Sequence, residues 1–137
     1  MYSTRRGFEQ LVDAPASTSS LFGAELPDAL LPFKASFSPA FFKVRRALGE
    51  FIEHVVLPRQ AEYVRARAAL KREARDRGEH PLSAPQPPIL NELRAAAKAR
   101  GLWNFFIERG GLTNLEYAPI AELLGAFPLA NVAMNCS

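Results

Sequence analysis

From Pro87 to Ser137, glycine and proline stand where helices would start and stop, which confines this part of the chain to short helices. Pro87-Pro88 precedes a run of good helix formers, and Gly101 supplies the left-handed stop after Arg100. Ile89, Leu90, Leu93 and Ala97 share one face of that helix. Lys98 and Arg100 lie in its last turn, where cations meet the negative end of the helix dipole. Leu102 to Ile107 reads as an extended apolar connector. Trp103 is expected to be a buried anchor, worth ~1.5–3 kcal/mol if enclosed.

Gly110-Gly111 allows a sharp turn, and Thr113-Asn114-Leu115-Glu116 then spells a capping box. In such a box the threonine hydroxyl receives the Glu116 N–H, and the Glu116 carboxylate reaches back to the backbone. Leu112 and Tyr117 hold the flanking staple positions. This helix is expected to reach about Leu124, with Leu115, Ile120, Leu123 and Leu124 inside and a slight bend at Pro119. Gly125 ends it. Pro128 opens a last helix that has neither a C-cap glycine nor a basic last turn, so it is expected to be marginal. Its Leu129, Val132, Ala133, Met134 and Cys136 need cover.

Upstream, Ser38-Pro39 is a helix start: the serine caps, and proline at the first position loses no needed donor. Phe41, Val44, Leu48, Phe51, Ile52 and Val55 make one stripe, and Pro58 is expected to kink or end the helix near Val56. A second, polar helix is expected from about Arg59 to Asp76, with Arg72–Asp76 and Glu73–Arg77 spaced to pair. Residues 78–88, rich in proline, form a loop. Residues 1–37 lack a sustained period and are expected to be an irregular arm, of low order in at least the first 20 residues. Phe22, Leu26, Leu30, Leu31 and Phe33 are the residues expected to dock this arm on the body. The fold expected is all-α, with about five helices in a domain spanning 38–137.

The basic excess lies in residues 38–86, with ten basic against six acidic groups, while the net charge of the 137 residues is +3. Acidic residues interleave with Arg65, Arg67, Lys71, Arg72, Arg75 and Arg77, and no aromatics accompany them. A solvated helix face is therefore favoured over a nucleic-acid surface. One cysteine and two histidines without ligand spacing make a metal site improbable. No apolar run is long enough to span a bilayer. The lone cysteine fits an intracellular, reducing compartment, with cytoplasm, mitochondrion and peroxisome all open. No residue set has the spacing of a catalytic centre. Glu116 is assigned to capping and Glu122 to the surface.

The string GLWNFFIERGGLTNLEYAPIAELLGAFPLANVAMNCS, with FIEHVVLP and PPILNELRAAAKARGLW upstream, resembles the N-terminal helical domain of acyl-CoA dehydrogenases. The nearest subgroup is the one often found beside an aminoglycoside-phosphotransferase-like domain. The resemblance covers about residues 40–137. It implies an FAD flavoenzyme that removes hydrogens from the α and β carbons of an acyl-CoA, in fatty acid oxidation, as an oligomer of like subunits. It also implies that the base and most flavin contacts come from a middle β-domain and a C-terminal bundle. The family continues into that β-domain where this chain ends at Ser137, so the chain is expected to be a fragment, inert alone. By position, Asn131, Met134 and Asn135, and less directly Ser137, are the expected neighbours of the acyl chain, with plain interhelical packing as the alternative. The competing functional reading is a non-enzymatic helical module that associates with related subunits.

Overall fold

The computed structural model describes residues 28–108 and 111–136. Among them are six α-helices and no strand. They are α1 (Pro39–Phe51), α2 (Leu57–Asp76), α3 (Ile89–Ala99), α4 (Phe105–Glu108), α5 (Asn114–Gly125) and α6 (Pro128–Ala133). The all-α expectation holds. The sixth helix is α4, a single turn within the stretch expected to be extended.

Helix α1 starts as its sequence dictates. Ser38 is extended, its Oγ accepts from the Phe41 N–H at 3.3 Å, and Pro39 opens the first turn. Pro58 does not end the helical path. Ile52–Val56 instead forms a π-helical turn, in which the Leu57 N–H donates to Ile52 O, and α2 continues directly from it. A proline inside a regular helix clashes with the carbonyl four residues back, and the wider turn relieves that crowding. The extra residue also rotates the register. Val56 therefore reaches the core, while Val55 is only partly buried.

Helix α2 is polar, as expected, and buries only Ala74. Its expected pairs rearrange: Arg77 turns to Glu79 at 2.8 Å, and Arg59 pairs with Glu62 at 2.8 Å and with Glu92 on α3 at 3.1 Å. The loop after it contains a short 3-10 turn, Pro81–Ser83, capped by His80 Nδ1, which accepts from Leu82 N–H. Arg67 donates to Ala84 O and Pro85 O at 2.7 and 2.8 Å, tying that loop down. The other histidine, His54, faces solvent.

One core joins α1, the π turn, α3, α5 and α6. Phe41, Leu48, Phe51, Leu90, Leu93 and Ile120 are among its largest fully buried side chains. Helix α3 follows its signals to the end: Arg100 caps it and Gly101 has φ of +70°. The end of the arm differs from expectation. Asp28–Ser36 is a 3-10 helix, and Leu31 and Phe33 remain exposed. The docking residue is Phe37, which stacks on Phe41 with ring centroids 4.4 Å apart. Phe22, Leu26 and the first 20 residues lie outside the described residues, as does Gly110; the side chain of Leu30 is not described.

Two apolar expectations in the second half are corrected. Trp103 is not enclosed: it stays partly exposed, with Lys98 Nζ 4.4 Å above its ring. Leu102 and Phe105 point inward in its place, while Phe106 and Ile107 are exposed. On α5, Ile120 and Leu124 are buried, but Leu115 faces solvent because it lies in the first turn, on the side away from α6 and the core.

Candidate functional site

Helix α5 begins with the capping box expected of its sequence. The Glu116 N–H donates to Thr113 Oγ1, and Glu116 Oε2 accepts from the Thr113 N–H at 2.9 Å. The other carboxylate oxygen does something that no local pattern encodes. Oε1 accepts the Ser38 N–H at 2.6 Å, across 78 residues of sequence. Ser38 caps α1 but has Phe41, not an acid, three residues later, so its backbone N–H lacks the usual local partner. Glu116 completes the start of α1 from another helix.

Glu116 is buried, and burial alone would raise its pKa. The hydrogen bonds from Ser38 and Thr113 outweigh that and hold it at about 2. A carboxylate so held is a poor proton acceptor near neutral pH. Its geometry is that of a structural cap, in agreement with the assignment from sequence.

The three residues expected beside an acyl chain lie at the end of α6. Met134 is fully buried in the core. Asn131 is partly buried, and its Nδ2 donates to Leu124 O at 2.9 Å, tying α6 to the end of α5. Asn135 is exposed and has φ of +58°. This asparagine supplies the left-handed residue that glycine usually provides. The Asn135 N–H donates to Val132 O at 3.3 Å, and the Cys136 N–H donates to Asn131 O at 2.8 Å. The short helix is therefore properly closed, contrary to the expectation of an uncapped end, and Leu129, Ala130, Ala133 and Met134 are covered. Ser137 lies outside the described residues.

A second left-handed asparagine meets this turn. Asn104, with φ of +57°, donates its backbone N–H to Met134 O at 2.9 Å. Its Oδ1 accepts from Asn135 Nδ2 at 2.7 Å. Sequence reasoning passed over Asn104 as part of an apolar connector; its place before Phe105 gives no local sign of the pairing. Cys136 lies beside them, and burial pushes its thiol pKa up, away from the thiolate form.

These residues do not build a flavin cradle. The buried carboxylate already accepts from Ser38 and Thr113 and would repel a pyrophosphate, and the two asparagines are joined to each other by one hydrogen bond. Among the described residues, Arg94 Nε is a buried side-chain nitrogen without a partner, a single donor where a dinucleotide needs several. No group of three or more His, Cys, Asp or Glu residues is placed to hold a metal among the described residues. No helix there is long and apolar enough to cross a membrane.

The described residues form an all-α fold in which one buried carboxylate caps the starts of two helices. The chain's relatives are acyl-CoA dehydrogenases. The chain is 40% identical over 95 residues to the probable acyl-CoA dehydrogenase FadE2 of Mycobacterium tuberculosis, which is 68% of this chain and 21% of that protein. It is 34% identical over 109 residues to acyl-CoA dehydrogenase family member 10 of Mus musculus, covering 73% of this chain and 9% of that protein. With family member 11 of Gallus gallus it shares 44% identity over 52 residues, 37% of this chain and 7% of that protein. The chain thus matches about a fifth or less of the length of these relatives. No family model and no solved structure matches it. The relationship expected from the sequence is borne out, and family members 10 and 11 fit the subgroup it pointed to.

Proposed function

We propose that this chain is the N-terminal helical part of an FAD-dependent acyl-CoA dehydrogenase that introduces an α,β double bond into acyl-CoA in fatty acid oxidation. The observation that carries the reading is the identity to the mycobacterial relative over 95 residues. The all-α fold is the support from structure. On this reading the chain contributes the end of α6, with Asn131, Met134 and Asn135, to the wall of the acyl pocket. Met134 would shape that wall from within the core, and Asn135 would present its amide at the surface. FAD and the proton-abstracting base would be held by other parts of the enzyme, in an oligomer of like subunits within an intracellular compartment. Residues 28–136 then supply shape and packing, and the 137 residues alone are inert.

The test is to capture the native protein with an antibody against residues 87–125 and record its visible spectrum. Bound flavin that bleaches when saturated acyl-CoA is added is the expected result. A captured protein without flavin, or with flavin that no acyl-CoA reduces, overturns the reading.

A further inference from the structure

Asn104 and Asn135 are the two non-glycine residues with positive φ among the described residues, at +57° and +58°, and they touch each other. Asparagine tolerates this backbone region better than most residues, and here a hydrogen bond joins the two left-handed positions. The contact is double. The Asn104 backbone holds Met134 O at 2.9 Å, and the Asn104 side chain holds the Asn135 amide at 2.7 Å. The Asn135 side chain is exposed, so packing does not fix its direction. The hydrogen bond to Asn104 does.

We propose that Asn104 is a positioning residue for the acyl-binding end of α6: it orients the turn at Met134–Cys136, and through it the Asn135 amide, against the acyl chain. This rests on the acyl-CoA dehydrogenase reading above. Asn104 itself touches no substrate. It acts as hydrogen-bond acceptor and as left-handed residue, and these two roles are separable. Asn104→Gly keeps the backbone conformation but removes the acceptor. Asn104→Asp keeps the acceptor, and aspartate also tolerates the left-handed region.

The experiment is steady-state kinetics of the intact flavoprotein carrying this chain, with saturated acyl-CoAs of several lengths. Losing one such hydrogen bond should raise KM for acyl-CoA by up to about tenfold in Asn104→Gly. In that variant kcat should stay within about twofold, since the loss falls on ground-state and transition-state binding alike. Asn104→Asp should return KM to within about twofold of the unmodified enzyme. A residue that only caps α6 would lower the melting temperature and leave KM unchanged. An unchanged KM in Asn104→Gly, or an Asn104→Asp enzyme as impaired as the glycine variant, overturns the proposal. If Asn104→Gly does not fold, Asn104→Ser, whose side chain is too short to reach Asn135 Nδ2, must show the same rise in KM. Failure of the underlying reading is recognised separately, as unmodified protein that oxidises no acyl-CoA; that result overturns the positioning role with it.

Discussion

The Glu116 carboxylate accepts the backbone N–H of Ser38 at 2.6 Å while its second oxygen closes the capping box at Thr113. One side chain thus sets the starts of α1 and α5. It also holds the two helix starts together, because both must meet the same carboxylate. The core between these helices, with Phe41 on one and Ile120 on the other, is assembled behind that junction.

Replacing Glu116 with alanine should leave the Ser38 and Thr113 N–H groups without partners. The expected loss is ~2–4 kcal/mol of unfolding free energy, since charge-assisted hydrogen bonds contribute ~1.5–3 kcal/mol each and are not additive. Urea titration followed by circular dichroism checks it, with a lower midpoint at an unchanged slope as the signature.

The same residue predicts acid sensitivity. Its pKa in the folded chain is about 2, below the ordinary 4.5 of the unfolded chain, so its stabilising effect is complete above about pH 4.5. It is lost progressively as pH falls from there through about 2. Stability measured between these limits should fall with acid in the unmodified chain and fall less steeply in Glu116→Gln. Equal slopes for the two proteins would assign the acid loss to other groups.

Met134→Ala should cost ~2–5 kcal/mol, as for other large-to-small changes at fully enclosed positions. Asn131→Ala, at a partly buried site with one hydrogen bond to Leu124 O, should cost only ~0.5–1.5 kcal/mol. Thermal unfolding of both variants tests the order. The reverse order would mean that Met134 is less tightly packed than its enclosure indicates.

Trp103 is the single tryptophan, so its fluorescence reports one place. Partly exposed beneath Lys98, it should emit at a wavelength between those of buried and fully hydrated indole and be quenched by acrylamide. Lys98→Met should change that emission while altering stability by no more than ~1 kcal/mol. A blue-shifted, unquenched emission would place the indole in the core.

Helix starts and stops were legible along the chain because they are local. Ser38-Pro39, the Thr113–Glu116 box and Gly101 each act within a few residues, and each forms as its pattern dictates. The core face of α3 was legible for the same reason, its periodicity being a property of one helix. Pairings between distant segments were not. The Ser38–Glu116 and Asn104–Asn135 bonds join residues 78 and 31 positions apart, and nothing near either residue marks its partner.

The relationship to acyl-CoA dehydrogenases and the all-α class were thus determined by sequence alone, through its motif string and helix punctuation. Tertiary structure decided which apolar residues are enclosed. Trp103 stays partly exposed although it is large and apolar, because Leu102 and Phe105 on either side of it enter the core and leave the indole beneath Lys98. It also decided how the last helix closes. Asn135 is strained as an isolated residue, and it takes the place of glycine because its amide finds an acceptor in Asn104.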